Sequence, residues 1–135
     1  MLVEINNKTK SKINLKLIEQ VVKKFLSHYN LINKEVSIAF VGDRVIKNLN
    51  KKYRQIDKIT DILSFSGDND FLGEIIINYN QIKKQAKKNK KTVKQELIFV
   101  LIHGLLHLIG YDDQTEKDRK NMMNFGEQFI KNNLR

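Results

Sequence analysis

Residues 101–114 read LIHGLLHLIGYDDQ, and the fold turns on this stretch. It is the end of an otherwise apolar helix that carries two histidines four residues apart. Thr92 can cap that helix and Gly110 ends it, so the spacing predicts a helix to Ile109. Working outward, Val3 to Asn6 reads as a short strand. Asn14 can cap a helix over 15–30, where Leu15, Ile18, Val21, Val22, Phe25, Leu26 and Tyr29 recur at helical spacing. Glu35 to Val41 (EVSIAFV) reads as a strand that Gly42-Asp43 breaks. Asp43 is expected to cap a helix over about 44–53, which would bury Val45, Ile46 and Leu49 and present Lys47, Lys51, Lys52 and Arg54. Ile62 to Phe65 is a short strand and Ser66 to Asp70 a turn. Gly73 to Asn78 (GEIIIN) is a buried strand. A polar helix over 79–89 precedes the histidine helix. A final helix over 115–133 would bury Met122, Phe125, Phe129 and Ile130. The order β α β α β β α α α predicts an α+β fold, a small mixed sheet packed with helices, one of them the HxxxH helix.

The chain has 135 residues, which suggests one domain spanning 1–135. A chain of this size buries roughly two-thirds of its unfolded surface and needs no staple. It contains no cysteine, which excludes thiol catalysis, disulfides and Cys-based zinc fingers. The longest strictly apolar run, Leu97 to Ile102, is far shorter than the ~20 residues that span a bilayer. The N-terminal MLVEINNKTK has an acid at Glu4 and no apolar core, so no signal peptide is expected. The expected location is the cytoplasm, with no membrane partner.

The net charge is +10. Residues 1–60 carry a net +8, residues 61–80 a net −4 and residues 81–95 a net +7 from seven lysines. A polyanion partner such as nucleic acid explains this. So does compositional drift, because lysine, asparagine and isoleucine are all abundant while arginine is scarce.

His103 and His107 carry the chemistry. On a helix their Cβ atoms lie roughly 5–6 Å apart on one face, so both imidazoles can reach one ion. After Gly110 the chain turns through Tyr111-Asp112-Asp113, and Asp113 can fold back as a third ligand. Two histidines and a carboxylate form a known catalytic zinc set with a fourth position open for water or substrate. Water on such an ion acidifies towards a pKa of about 7. The bland alternative is a pair of core histidines, but polar rings in an apolar helix are costly without partners. His28 has no partner at ligand spacing and reads as a surface or interface residue. In the usual helical zinc motif HExxH, a glutamate follows the first histidine as general base. Gly104 stands there, which disfavours peptide hydrolysis by that route. Phosphodiester chemistry suits a metal with a cation nearby.

The stretch resembles the YbeY family of rRNA maturation factors, whose signature reads HGxLHLxGYDH. His103, Gly104, Leu106, His107, Leu108, Gly110, Tyr111 and Asp112 match it. A second family signature, YRxxDxxTDxLSF, is spelled by Tyr53, Arg54, Asp57, Thr60, Asp61, Leu63, Ser64 and Phe65. Gly73, Glu74 and Ile75 stand where the family has a GDI-type strand. The likeness covers residues of about 35–125 in the family's order. It implies a zinc-dependent endoribonuclease acting on single-stranded RNA, with precursor rRNA as substrate and ribosomal proteins or ribosome-associated factors as possible partners. It leaves water and the RNA 2′-hydroxyl both open as nucleophile.

Two positions depart from the family pattern. The third metal histidine is Asp113, which can ligate zinc but is a harder, anionic donor that weakens the preference for zinc over other divalent ions. Asp112 competes for this role, and the motif's spacing favours Asp113. Ser66 replaces a turn proline. The resemblance also implies that Arg54 faces the metal cleft and serves RNA processing. A guanidinium offers a donor fork matched to phosphate oxygens. The alternative for Arg54 is a salt bridge to Asp57 or Asp61.

Other features carry less. Asp68 and Asp70 have the spacing that opens a calcium loop, but Gly73 is at the wrong offset and the terminal acid is missing. Lys83–Lys94 can contact phosphates or form a solvated helix face. Three functions therefore compete: an RNA hydrolase, a zinc metalloprotease-like hydrolase for which Glu96 is the one weak candidate base, and a non-catalytic ribosome-associated RNA-binding module with a structural metal.

Overall fold

The computed structural model describes residues 2–134. Its elements are β1 (Val3–Asn7), α1 (Leu15–His28), β2 (Glu35–Val41), α2 (Asp43–Arg54), β3 (Ile62–Ser66), β4 (Phe71–Asn78), α3 (Tyr79–Lys88), α4 (Val93–Leu108) and α5 (Glu116–Asn133). The fold is the expected α+β domain. The four strands lie in the order β1-β2-β4-β3. β1 pairs with β2 and β2 with β4 in parallel, whereas β3 runs antiparallel to β4 at the edge. The sheet is therefore mixed.

β4 holds both faces of the sheet together. Ile75 and Ile77 are fully buried on one face, in the main core with Ile38 and Phe40 of β2. Ile76 points the other way, as alternation along a strand requires, and joins Val41, Ile46 and Leu63 beneath α2. The main core also takes one face of α1, through Ile18, Val21, Val22, Phe25 and Leu26. α1 starts as expected, with the Asn14 side chain accepting from the Leu17 N–H at 3.1 Å.

α4 is the most enclosed helix, apolar on nearly all sides, and it packs on α3, α5 and β3. Its start is fixed by a capping box. The Gln95 N–H donates to Thr92 Oγ1 at 3.0 Å, and the Thr92 N–H donates to Gln95 Oε1 at 2.9 Å.

Three local expectations need correction. Asp43 is the first residue of α2 and does not cap it; Gly42 is the N-cap, without a side-chain bond. The Asp43 carboxylate instead accepts from Asn78 Nδ2 at 2.7 Å and Asn80 Nδ2 at 2.9 Å, which ties α2 to the start of α3. Val45 faces solvent, because the buried stripe of α2 runs through Ile46 and Asn50. Phe125 is exposed and lies against Tyr111 with ring centroids 5.1 Å apart, outside the core that Met122 and Phe129 enter. Among the described residues, no helix is long and apolar enough to cross a membrane.

Candidate metal centre

The site is built at the C-terminus of α4. His103 and His107 stand one turn apart with ring centroids 4.9 Å from each other. The helix then closes with two reversed bonds: the Gly110 N–H donates to His107 O and the Tyr111 N–H to Leu106 O, both at 3.1 Å. This pattern requires a left-handed residue after the cap, and Gly110 supplies it at φ +105°. The reversal carries Asp113 back over the helix end.

Asp113 Oδ2 lies 3.8 Å from His103 Nε2 and 3.4 Å from His107 Nε2. One donor atom from each of the three residues falls within 4.8 Å of the others. Two imidazoles and a carboxylate gathered in this way fit one divalent ion. Asp112 is not part of the cluster; its Oδ1 accepts from the Asp113 N–H at 2.7 Å and braces the turn. From α5, Arg119 Nη1 donates to the Asp113 carbonyl at 3.2 Å and holds the turn. His103 has its pKa lowered, first by burial and then by the neighbouring His107, against the opposing charges of Asp113 and Asp61. The lowered value favours the neutral imidazole, the form that ligates metal.

Arg54, the last residue of α2, lines the same cavity of about 680 Å³ as His103, His107 and Asp113. The structure therefore brings all four expected site residues to one cavity. Among the described residues, no carboxylate lies within ion-pair distance of Arg54. Asp57 pairs with Lys47 at 3.9 Å, and Asp61 accepts from Gln85 Nε2 at 3.1 Å. His28 lies elsewhere, its ring packed against Tyr29 and Phe129.

Gly104 occupies the place where HExxH has its glutamate, and the reason is steric. A Cβ there would stand 2.5 Å from Ile62 Cδ1 and 3.2 Å from Ser64 Oγ. The Ser64 hydroxyl also donates to the Gly104 carbonyl at 3.2 Å. Strand β3 is pressed onto this face of α4, which leaves no room for a carboxylate. Glu96, the other candidate base, is 3% exposed, and its Oε2 accepts from Gln85 Nε2 at 3.1 Å.

Sequence reading did not assign the rest of the cavity wall. Asp61, Ser64, Gln85, Phe99 and Arg119 also line it. Part of this wall had a signal. Glu96, Phe99, His103 and His107 follow one another at helical spacing on α4, so one face could be traced from the histidines. Lys91 Nζ stands 4.6 Å over the Phe99 ring, so the lysine-rich segment reaches the cavity rim.

The family profile described as Endoribonuclease YbeY matches residues 4–134. A protein named Endoribonuclease YbeY from Persephonella marina is 37% identical over 128 residues, covering 89% of this chain and 84% of its own. Its namesake from Thermodesulfovibrio yellowstonii is 46% identical over 106 residues, covering 74% of this chain and 67% of its own. The solution structure of TM1509 from Thermotoga maritima superposes with a TM-score of 0.69 at 29% identity, over 96% of this chain and 87% of that one.

Proposed function

This chain belongs to the YbeY family of endoribonucleases, and from that membership we propose that residues 1–135 form one metal-dependent domain that hydrolyses single-stranded RNA during rRNA maturation. The observation that carries the reading is the shared cavity. Three side chains that could hold one metal ion, and an arginine with no ionic partner among the described residues, open onto the same space.

His103, His107 and Asp113 are the proposed ligands, and zinc is the proposed ion. When bound, it supplies Lewis-acid polarisation of a phosphoryl oxygen. Arg54 holds the phosphate through its donor fork and offsets the charge that develops on the oxygens. Its side chain is exposed, so it can meet an extended strand arriving from solvent. Lys51 and Lys52 share the last turn of α2 with Arg54, and Lys91 stands over Phe99, so these lysines add sequence-independent affinity for the backbone. The cytoplasm is the proposed location, and ribosomal proteins or ribosome-associated factors are the proposed protein partners.

The packing of Gly104 against β3 and the burial of Glu96 count against the protease reading. The test uses purified protein with its metal content measured by elemental analysis. We expect cleavage of a single-stranded RNA and little cleavage of the same sequence in a duplex. His107→Ala should lose cleavage and metal together. Nuclease activity that survives in His107→Ala belongs to another site or a contaminant and overturns the reading. Peptide hydrolysis without RNA cleavage would favour the protease.

A further inference from the structure

α5 brings a second guanidinium to the metal cavity. Arg119 is the fourth residue of that helix, is exposed, and lines the cavity together with Arg54, His103, His107 and Asp113. One bond locates its head group. Nη1 donates to the Asp113 carbonyl at 3.2 Å, and Asp113 Oδ2 is itself 3.4 Å from His107 Nε2. The guanidinium thus lies against the residue that completes the ligand cluster.

This contact uses little of what the side chain offers. A guanidinium carries several N–H donors in a planar fork, and the Asp113 carbonyl takes one nitrogen. Carboxylates are close in sequence: Asp112, Asp113, Glu116 and Asp118 all precede Arg119 within seven residues. Glu116 stands at i−3 on the same helix, where ion pairs commonly form. Yet among the described residues no carboxylate lies within ion-pair distance of Arg119. Its charge and its remaining donors are left for solvent or for a ligand.

The charges of the cavity indicate which ligand. Its lining includes the carboxylates of Asp61, Glu96 and Asp113, and its cations are Arg54 and Arg119. Asp113 adds a negative charge where the family resemblance leads one to expect a neutral imidazole. That charge weakens the pull on an anionic substrate, and Arg119, bound to the same residue, offsets it. A guanidinium with free donors beside a metal-binding cluster matches a phosphate oxygen.

We propose that Arg119 is a second phosphate-binding residue of this cavity, which holds the phosphodiester next to the one that Arg54 meets. The two arginines come from different helices, α2 and α5, so together they fix the register of a single strand at the ligand cluster. The proposal rests on the endoribonuclease reading and adds a second anchor for the backbone to it.

The test measures how tightly metal-loaded protein binds a single-stranded DNA oligonucleotide as salt is raised. The DNA carries the phosphates and lacks the 2′-hydroxyl, so the measurement needs no RNA cleavage. On a single strand each neutralised phosphate contributes about 0.7 to the slope of log affinity against log salt. At equal metal content, Arg119→Gln should make the slope shallower by about 0.7, and Arg119→Lys, which keeps the charge, should hold it at the wild-type value. A residue that only braced the Asp113 turn would lower metal content and leave the slope alone. That result, or any unchanged slope in Arg119→Gln, overturns the proposal. A second measurement places the contact. It uses RNA with one uncharged methylphosphonate linkage beside the cut site, on either side in turn. In wild-type protein the neutral linkage on one side should slow cleavage about tenfold, the scale of one charge-assisted hydrogen bond. In Arg119→Gln the same linkage should cost little more. An equal cost in both proteins on both sides overturns the proposal. RNA that stays uncut counts instead against the endoribonuclease reading, and the salt slope still decides the role of Arg119.

Discussion

Asp113 Oδ2 stands 3.4 Å from His107 Nε2, brought there by the left-handed turn at Gly110 that reverses the chain after α4. The position is one at which the family resemblance leads one to expect a histidine. An aspartate is shorter and anionic, yet it reaches the cluster because Asp112 and Arg119 both hold the turn through the Asp113 backbone.

A softer donor at this position should favour zinc. Asp113→His is expected to raise zinc affinity relative to magnesium and manganese, because imidazole suits zinc better than a hard carboxylate does. Asp113→Ala should release the ion, leaving two histidines. Elemental analysis and a zinc-indicator competition check both. Unchanged content and affinity in both variants would remove Asp113 from the ligand set.

Arg54 lines the cavity without an ionic partner among the described residues. Reversing its charge should therefore act on phosphate and leave the ligands in place. Arg54→Glu is expected to slow RNA cleavage by at least about tenfold, the loss of one charge-assisted contact or more, with zinc content near wild type. Its exposed position predicts no large change in the denaturation midpoint. Wild-type turnover in this variant would take Arg54 out of the mechanism.

Residues 103 and 107 were legible in the sequence because ligand spacing on a helix is a local property. So was Asp113, since Gly110 marks where the helix must reverse. Arg54 was legible through a motif, not through local chemistry, and only the folded chain places it beside the histidines. Strand boundaries such as Glu35–Val41 followed from alternation. The insertion of β4 between β2 and β3 did not, because pairing partners leave no mark on hydrophobic period. Asp43 shows the same limit. Its residue type predicts a cap, but Asn78 and Asn80, distant in sequence, take its carboxylate. The Asp61–Gln85–Glu96 line was missed for that reason too: its three residues come from different parts of the chain.

Gly104 sits where β3 crosses α4, and its lack of a side chain should matter for stability. Gly104→Ala places a methyl group 2.5 Å from Ile62 Cδ1, a flexible end that can shift, so a cost of about 1–3 kcal/mol is expected. Gly104→Glu spells HExxH but buries a carboxylate against the sheet, and it should cost more without creating peptidase activity. Urea denaturation measures both. Stabilities close to wild type for both variants would show that β3 does not press on α4 at Gly104.

The lowered pKa of His103 makes the metal-free protein sensitive to acid. Burial is the main cause, followed by His107. In the unfolded chain the same imidazole returns to an ordinary value of about 6.5. Between the lowered folded value and about 6.5, the unfolded chain therefore binds more protons than the folded one. Stability contributed by this group is therefore full above about 6.5, is lost as pH falls through that window, and is flat below the lowered folded value. The urea midpoint of metal-free protein should accordingly be lower at about pH 5 than at about pH 7.5. His103→Gln removes the titrating group and should flatten this part of the dependence. Metal competes with the same protons, so saturating zinc should restore much of the lost stability in wild type and little in His103→Gln. A pH dependence identical in the two proteins would place its origin in another group.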